Sequence, residues 1–190
     1  MSTSLEEMHE LPLHIRVGRA RAGVIMLILS DFLSILALLA AGGYLSALNV
    51  LNQYRLPGDH PPALLPGLLA SIVLVLSALS YYWWERRGRQ PIIFILSLLL
   101  MVVALAFQIW LGASLGYASP YHAYESVIIL LTWYSAFHLA LAAFIGLLLL
   151  GRIIHGRLAG HPYIPEVVGY WWYYTVIAGL VMWAFSMFLV

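Results

Sequence analysis

The 190-residue chain has no cysteine and no lysine, and only 9% of it is charged. Without cysteine there can be no disulfides, no thiolate metal ligands and no cysteine nucleophile. All nine basic residues are arginines, so no lysine amine is present for a retinal or pyridoxal phosphate Schiff base. A formal net charge of +1 excludes the strongly basic footprint of a nucleic-acid-binding protein. Soluble domains carry about 25% charged residues, so this chain lacks the polar surface to face water on every side. What it has instead is 63% hydrophobic residues and a mean hydropathy of +0.93. Lipid is the solvent such a composition fits.

Four polar breaks divide the apolar sequence into five spans. They are expected at about 22–50, 63–84, 91–115, 124–150 and 166–190, each as long as the ~20 residues a ~30 Å hydrocarbon core demands. Residues 1–21 form a polar tail, and 22–190 a single all-α transmembrane domain. That tail is too polar for a cleavable signal peptide, because the apolar run begins at Ala22, after three arginines. Pro57, Gly58, Pro61 and Pro62 mark the first loop, and Pro91 is a favourable first residue for the third span.

Arginines set the expected orientation. Arg16, Arg19 and Arg21 precede span one, Arg86, Arg87 and Arg89 follow span two, and Arg152 and Arg157 follow span four. Only Arg55 falls on the other side, so the N-terminus is expected in the cytoplasm and the C-terminus outside, in a bacterial inner membrane. Aromatic belts agree: Tyr81, Tyr82, Trp83, Trp84 and the run 170–174 at the inner boundary, with Tyr117, Tyr121 and Tyr124 at the outer. No internal repeat is evident, and an odd span count without paired broken helices argues against an inverted-repeat transporter. Gly112 and Gly116 form a GxxxG at a helix end, a weak packing signal.

Ionisable groups inside a membrane are costly, so each is a functional candidate. Asp31 lies ten residues past Arg21, roughly 15 Å into the membrane. His138 lies fourteen residues before Arg152, roughly 21 Å from the same surface. Ser34 and Ser135 stand one turn from Asp31 and His138, so each ionisable group is expected to have a hydroxyl on its own face. Gln108 is the other deep polar residue. The pair reads either as an interhelical hydrogen bond or as a site for protons, a lipid headgroup or a partner subunit. One histidine with one aspartate offers too few ligands for a metal, and a bis-histidine haem needs paired deep histidines. Of His9, His14, His60, His122, His138, His155 and His161, only His138 is deep. A serine-protease arrangement is disfavoured too, since Ser135 and His138 share one helix.

In order along the chain, several segments resemble subunit III of the haem-copper respiratory oxidases, in its short five-span bacterial form. Met26-Leu27-Ile28-Leu29-Ser30-Asp31-Phe32 is similar to that family's apolar run ending in Ser and an acidic residue. Leu76-Ser77-Ala78-Leu79-Ser80-Tyr81 resembles its serine-rich second helix, and Phe107-Gln108-Ile109 its aromatic-polar-aliphatic step. Leu131-Thr132 and Phe137-His138-Leu139 are similar to a Leu-Thr-Gly-x-His-Gly-x-His motif. Gly169-Tyr170-Trp171-Trp172-Tyr173 resembles a Tyr-Trp-His-Phe stretch. Departures accompany these: Ser135 replaces the motif's first histidine, Trp133 and Ala136 its glycines, Trp172 the later histidine and Thr175 an acidic position. Ala70 or Ser71 stands where the family has a buried glutamate. Asp31, His138 and Trp171 carry over.

The resemblance implies a non-catalytic accessory subunit that stabilises the oxidase's catalytic subunit I, binds phospholipid and supports proton uptake. Haem and copper would belong to partner subunits, and none to this chain. Asp31, His138, Ser34, Ser135 and Gln108 become its lipid, structural or proton-related polar sites. Trp83, Trp84, Trp171 and Trp172 become its interface aromatics. An accessory subunit of nitric oxide reductase or another respiratory complex, and a small transporter or lipid-binding protein acting alone, remain the alternatives.

Overall fold

The computed structural model describes residues 12–49, 54–55, 59–116, 122–158 and 160–189. Much of the loop between the first two spans, Tyr117 and Tyr121 of the expected outer belt, and His9 lie outside the described residues. Among the described residues five helices follow one another: α1 Leu13–Ala47, α2 Leu64–Arg86, α3 Pro91–Ser114, α4 Ala123–Ile154 and α5 Ile164–Phe188. Each is long and apolar enough to cross a membrane, and no strand occurs among the described residues. The chain is a multi-pass membrane protein.

The helix ends follow local chemistry. Pro91 opens α3 and Pro165 lies in the first turn of α5, where a missing N–H costs nothing. At the end of α2, Gly88 (φ +75°) and Arg89 (φ 57°) turn left-handed, and the Arg89 N–H reaches back to the Trp84 carbonyl. Gly156 (φ +66°) ends α4 the same way, with the Arg157 N–H donating to the Arg152 carbonyl. Both are Schellman-type stops, which require a residue tolerant of positive φ just past the helix.

Two boundaries differ from expectation. Helix α1 begins at Leu13 rather than Ala22, so Arg16, Arg19 and Arg21 lie on the helix. Apolarity marks where lipid begins, whereas a helix runs back until something breaks it, here Pro12. Helix α4 continues to Ile154 for the same reason: Gly151 is helical, and Gly156 is the stop.

Helices α2, α3, α4 and α5 pack in a ring, and α1 lies in the groove between α4 and α5 without touching α2 or α3. The ring's core is aromatic. Tyr81 and Trp172 stack with centroids 5.0 Å apart, and Trp84 and Phe94 complete the cluster at 4.7 Å from each other. All four side chains are fully buried. Gly146 on α4 makes room for them, since a Cβ there would lie 2.8 Å from Leu98 and 2.9 Å from Trp172. Small residues that let backbones approach are the usual basis of helix packing in lipid, where no hydrophobic force acts between helices.

Hydrogen bonds fasten the ring. The Ser77 hydroxyl donates to the Ser97 carbonyl and the Ser97 hydroxyl to the Ser77 carbonyl, both at 2.8 Å, clasping α2 to α3. The Trp172 indole N–H donates to the Ser77 hydroxyl at 3.1 Å. The Tyr81 hydroxyl donates to the Pro165 carbonyl at 2.7 Å. Each would leave a polar group stranded in apolar surroundings if broken.

Helix α1 is different. Only Ile35 and Gly42 are buried along it, while Leu29, Phe32, Leu33 and Leu36 face outward. That outward apolar face is compatible with lipid contact, and specific side-chain contacts hold the helix to the bundle. At one end the Arg21 guanidinium meets the Glu166 carboxylate at 2.8 Å. Farther along, Gly42 lets Val127 and Phe185 approach. Between them sits Asp31.

Candidate functional site

Asp31 projects from α1 toward α4 and α5, and its carboxylate meets two phenols and an imidazole. Its Oδ1 accepts from the Tyr134 hydroxyl and faces His138 Nε2, each at 2.8 Å. Its Oδ2 accepts from the Tyr174 hydroxyl. The other ring nitrogen of His138, Nδ1, lies 2.8 Å from the Tyr134 carbonyl one turn back on α4. His138 is 3% exposed, and the Trp171 indole stacks over its ring at 6.0 Å. The Tyr134 ring also packs against it, tilted, with centroids 4.5 Å apart.

Helix geometry explains how three elements supply one site. Tyr134 and His138 are four residues apart on α4 and share a face toward α1. Trp171 and Tyr174, three apart on α5, close the site from the other helix. Asp31 and His138 were expected at similar depth on different helices, and the structure brings them into direct contact.

The two serines part company. The Ser34 hydroxyl donates to the Ser30 carbonyl at 3.2 Å and also reaches Tyr134, so it meets the site through that phenol and not through the Asp31 carboxylate. Ser135 turns into the ring, where it lines small cavities with Gln108 and Trp183. A side chain three residues from another on a helix is offset by a substantial angle, and here that offset separates Ser135 from His138. Gln108 donates to the Thr132 carbonyl at 3.2 Å, tying α3 to α4. The cavities beside it hold about 10 Å³ each, room for a single water.

Of the four tryptophans expected as interface aromatics, Trp83 is exposed, with Arg87 stacked over its ring at 5.5 Å. Trp84, Trp171 and Trp172 pack inside the chain itself. The aromatic run on α5 also makes contacts within the chain: Tyr174 meets Asp31, Tyr173 donates to Glu85 at 2.8 Å, and Tyr170 donates to Glu166. Tyr124 is buried beside Tyr54, with Arg55 over its ring.

Sequence reasoning missed Tyr134 and Tyr174 as members of the site. A signal for both was present. Tyr134 stands four residues before His138, and Glu166, Tyr170 and Tyr174 repeat every four residues, a polar stripe on an apolar helix. That stripe is the face of α5 that α1 covers, with Arg21 on Glu166 at one end and Asp31 on Tyr174 at the other.

Chemically the site offers a carboxylate, an imidazole and two phenols in contact, which suits it to holding protons and joining helices. Among the described residues no three His, Asp or Glu side chains gather closely enough to hold a metal ion together. Compared with known proteins, the chain matches no family model and no curated protein.

Proposed function

We infer that this chain is a non-catalytic accessory subunit of a haem-copper respiratory terminal oxidase, akin to subunit III. Its N-terminus would be cytoplasmic in a bacterial inner membrane. One observation carries the reading. Asp31, His138 and Trp171, the three positions that carry over from the subunit III motifs, come from three different helices and converge on one site. Chance likenesses scattered along a hydrophobic chain have no reason to meet. In this role the chain packs against the catalytic subunit, binds phospholipid and supports proton uptake during turnover, while haem and copper stay in the partners. The Asp31 site locks α1 to the bundle and so shapes the surface offered to subunit I.

Gentle purification from the native membrane tests the reading. A complex containing haem a, o or b and a large many-span subunit is the expected result, and a colourless, monodisperse monomer overturns it. Within such a complex, Asp31→Ala alters assembly or hastens turnover-dependent inactivation and leaves the haem spectrum unchanged. Orientation has its own test. Because the chain has no cysteine, single cysteines placed beside Arg89 and beside His60 are expected to react with impermeant reagents from the cytoplasmic and outer sides respectively.

A further inference from the structure

We propose that Asp31 and His138 form a part-buried site for one proton, shared along the line between His138 Nε2 and Asp31 Oδ1. The inference goes beyond the oxidase reading and does not depend on it. It rests on the hydrogen-bond inventory. His138 Nδ1 faces a backbone carbonyl, which can only accept, so Nδ1 carries a hydrogen. A neutral imidazole has a single N–H, and Nε2 would then be a bare lone pair. That lone pair would face a carboxylate oxygen 2.8 Å away, which also only accepts when ionised. Two acceptors at that distance repel. A proton must lie between them.

The tyrosines do not supply it. The Tyr134 hydroxyl donates to Oδ1 and the Tyr174 hydroxyl to Oδ2, so both phenolic protons are directed at the carboxylate. The shared proton is therefore additional to theirs. It gives either imidazolium beside carboxylate or Nδ1-protonated imidazole beside carboxylic acid. Both forms hold the same number of protons, and the proton belongs to the pair.

Charge gives an independent reason. Among the described residues the ion-pair partner of Asp31 is His138 alone, while Arg21, the nearest arginine along α1, is held by Glu166. With the shared proton the pair is neutral. Without it, a net negative charge would sit between α1, α4 and α5 in an apolar span, an arrangement membranes disfavour. The groups facing the pair are Tyr134 and Phe137 from α4 and Trp171 and Tyr174 from α5, with Ser34 of α1 beside Tyr134, and none of them is cationic.

Solid-state nitrogen NMR on the full chain in lipid, labelled at histidine, tests the site at neutral pH alongside infrared spectroscopy. The expected result is one of two signatures. Either His138 carries protons on both nitrogens, or it carries one on Nδ1 and a protonated-carboxyl band is present that Asp31→Asn removes. The asparagine amide can donate to Nε2 and accept from Tyr174, so that variant keeps the His138 contact, costs Tyr134 its acceptor and should leave His138 neutral. A wild-type His138 protonated on one nitrogen only, with no carboxyl band lost in Asp31→Asn, overturns the proposal. If Asp31→Asn does not fold, His138→Gln assigns the same nitrogen signals by their loss. Infrared labelling of aspartate then decides in wild-type protein whether any aspartate is protonated.

Discussion

Gly67 on α2 lies against the indole of Trp183 on α5, so close that a Cβ on Gly67 would overlap the ring nitrogen and its neighbouring carbons. The ring closes at this contact, where α2 meets α5 toward the end opposite the aromatic cluster. Gly67→Ala is expected to cost about 1–3 kcal/mol, the usual penalty of overpacking. Trp183→Leu in the same chain should recover part of it by vacating the space. Midpoints of thermal unfolding in detergent for the two single variants and the double variant would measure the coupling, and an additive double variant would contradict it.

Ser77 and Ser97 look equivalent in the clasp between α2 and α3 but are not. The Ser77 hydroxyl donates to one group and accepts from the Trp172 indole, whereas the Ser97 hydroxyl has only its bond to the Ser77 carbonyl. Ser77→Ala strands a buried N–H and is expected to cost about 1–3 kcal/mol. Ser97→Ala leaves a carbonyl that still accepts within its own helix, and should cost less than about 1 kcal/mol. Equal costs in reversible unfolding would overturn this ranking.

Around Asp31, the two phenols also differ. Tyr174 is the donor to Oδ2, while Tyr134 shares Oδ1 with His138. Tyr174→Phe therefore removes the donor from Oδ2, and Tyr134→Phe leaves Oδ1 still paired. Both should weaken the fold by about 0.5–2 kcal/mol, within the range for hydrogen bonds between membrane helices, with Tyr174→Phe the larger. Protease susceptibility at the α1–α2 loop should rise in the same order, since α1 is the helix released.

The Arg21–Glu166 pair spans the same two helices, yet its side chains are 48% and 34% exposed. Solvent screening leaves such a pair little to contribute to stability. Arg21→Ala should thus shift the unfolding midpoint less than Tyr174→Phe does, and the shift should shrink further as salt is raised. A large, salt-independent loss would mean the pair is deeper than its exposure indicates.

Five helices, their approximate spans and the scarcity of buried ionisable groups all followed from residue order alone. Hydropathy is a local property: a run of apolar residues long enough for a bilayer must satisfy its backbone internally, and a helix is how a single segment does so. Asp31 and His138 stood out for the same reason, because a charge-bearing side chain in such a run is rare wherever the helix packs. What residue order could not supply was direction around each helix. A turn of 3.6 residues leaves Ser135 and His138 near each other in projection, yet one faces the ring and the other α1, and nothing local distinguishes them. Residue order likewise could not tell that Trp84 and Trp172 pack inside the bundle and that Tyr174 meets Asp31, since aromatic residues suit both a membrane boundary and a packed core. Only the docking of α1 between α4 and α5 selected Tyr134 and Tyr174 as partners of Asp31. That choice rests on which faces meet, a long-range property of the bundle. With it came the contact of two acceptors that calls for a shared proton.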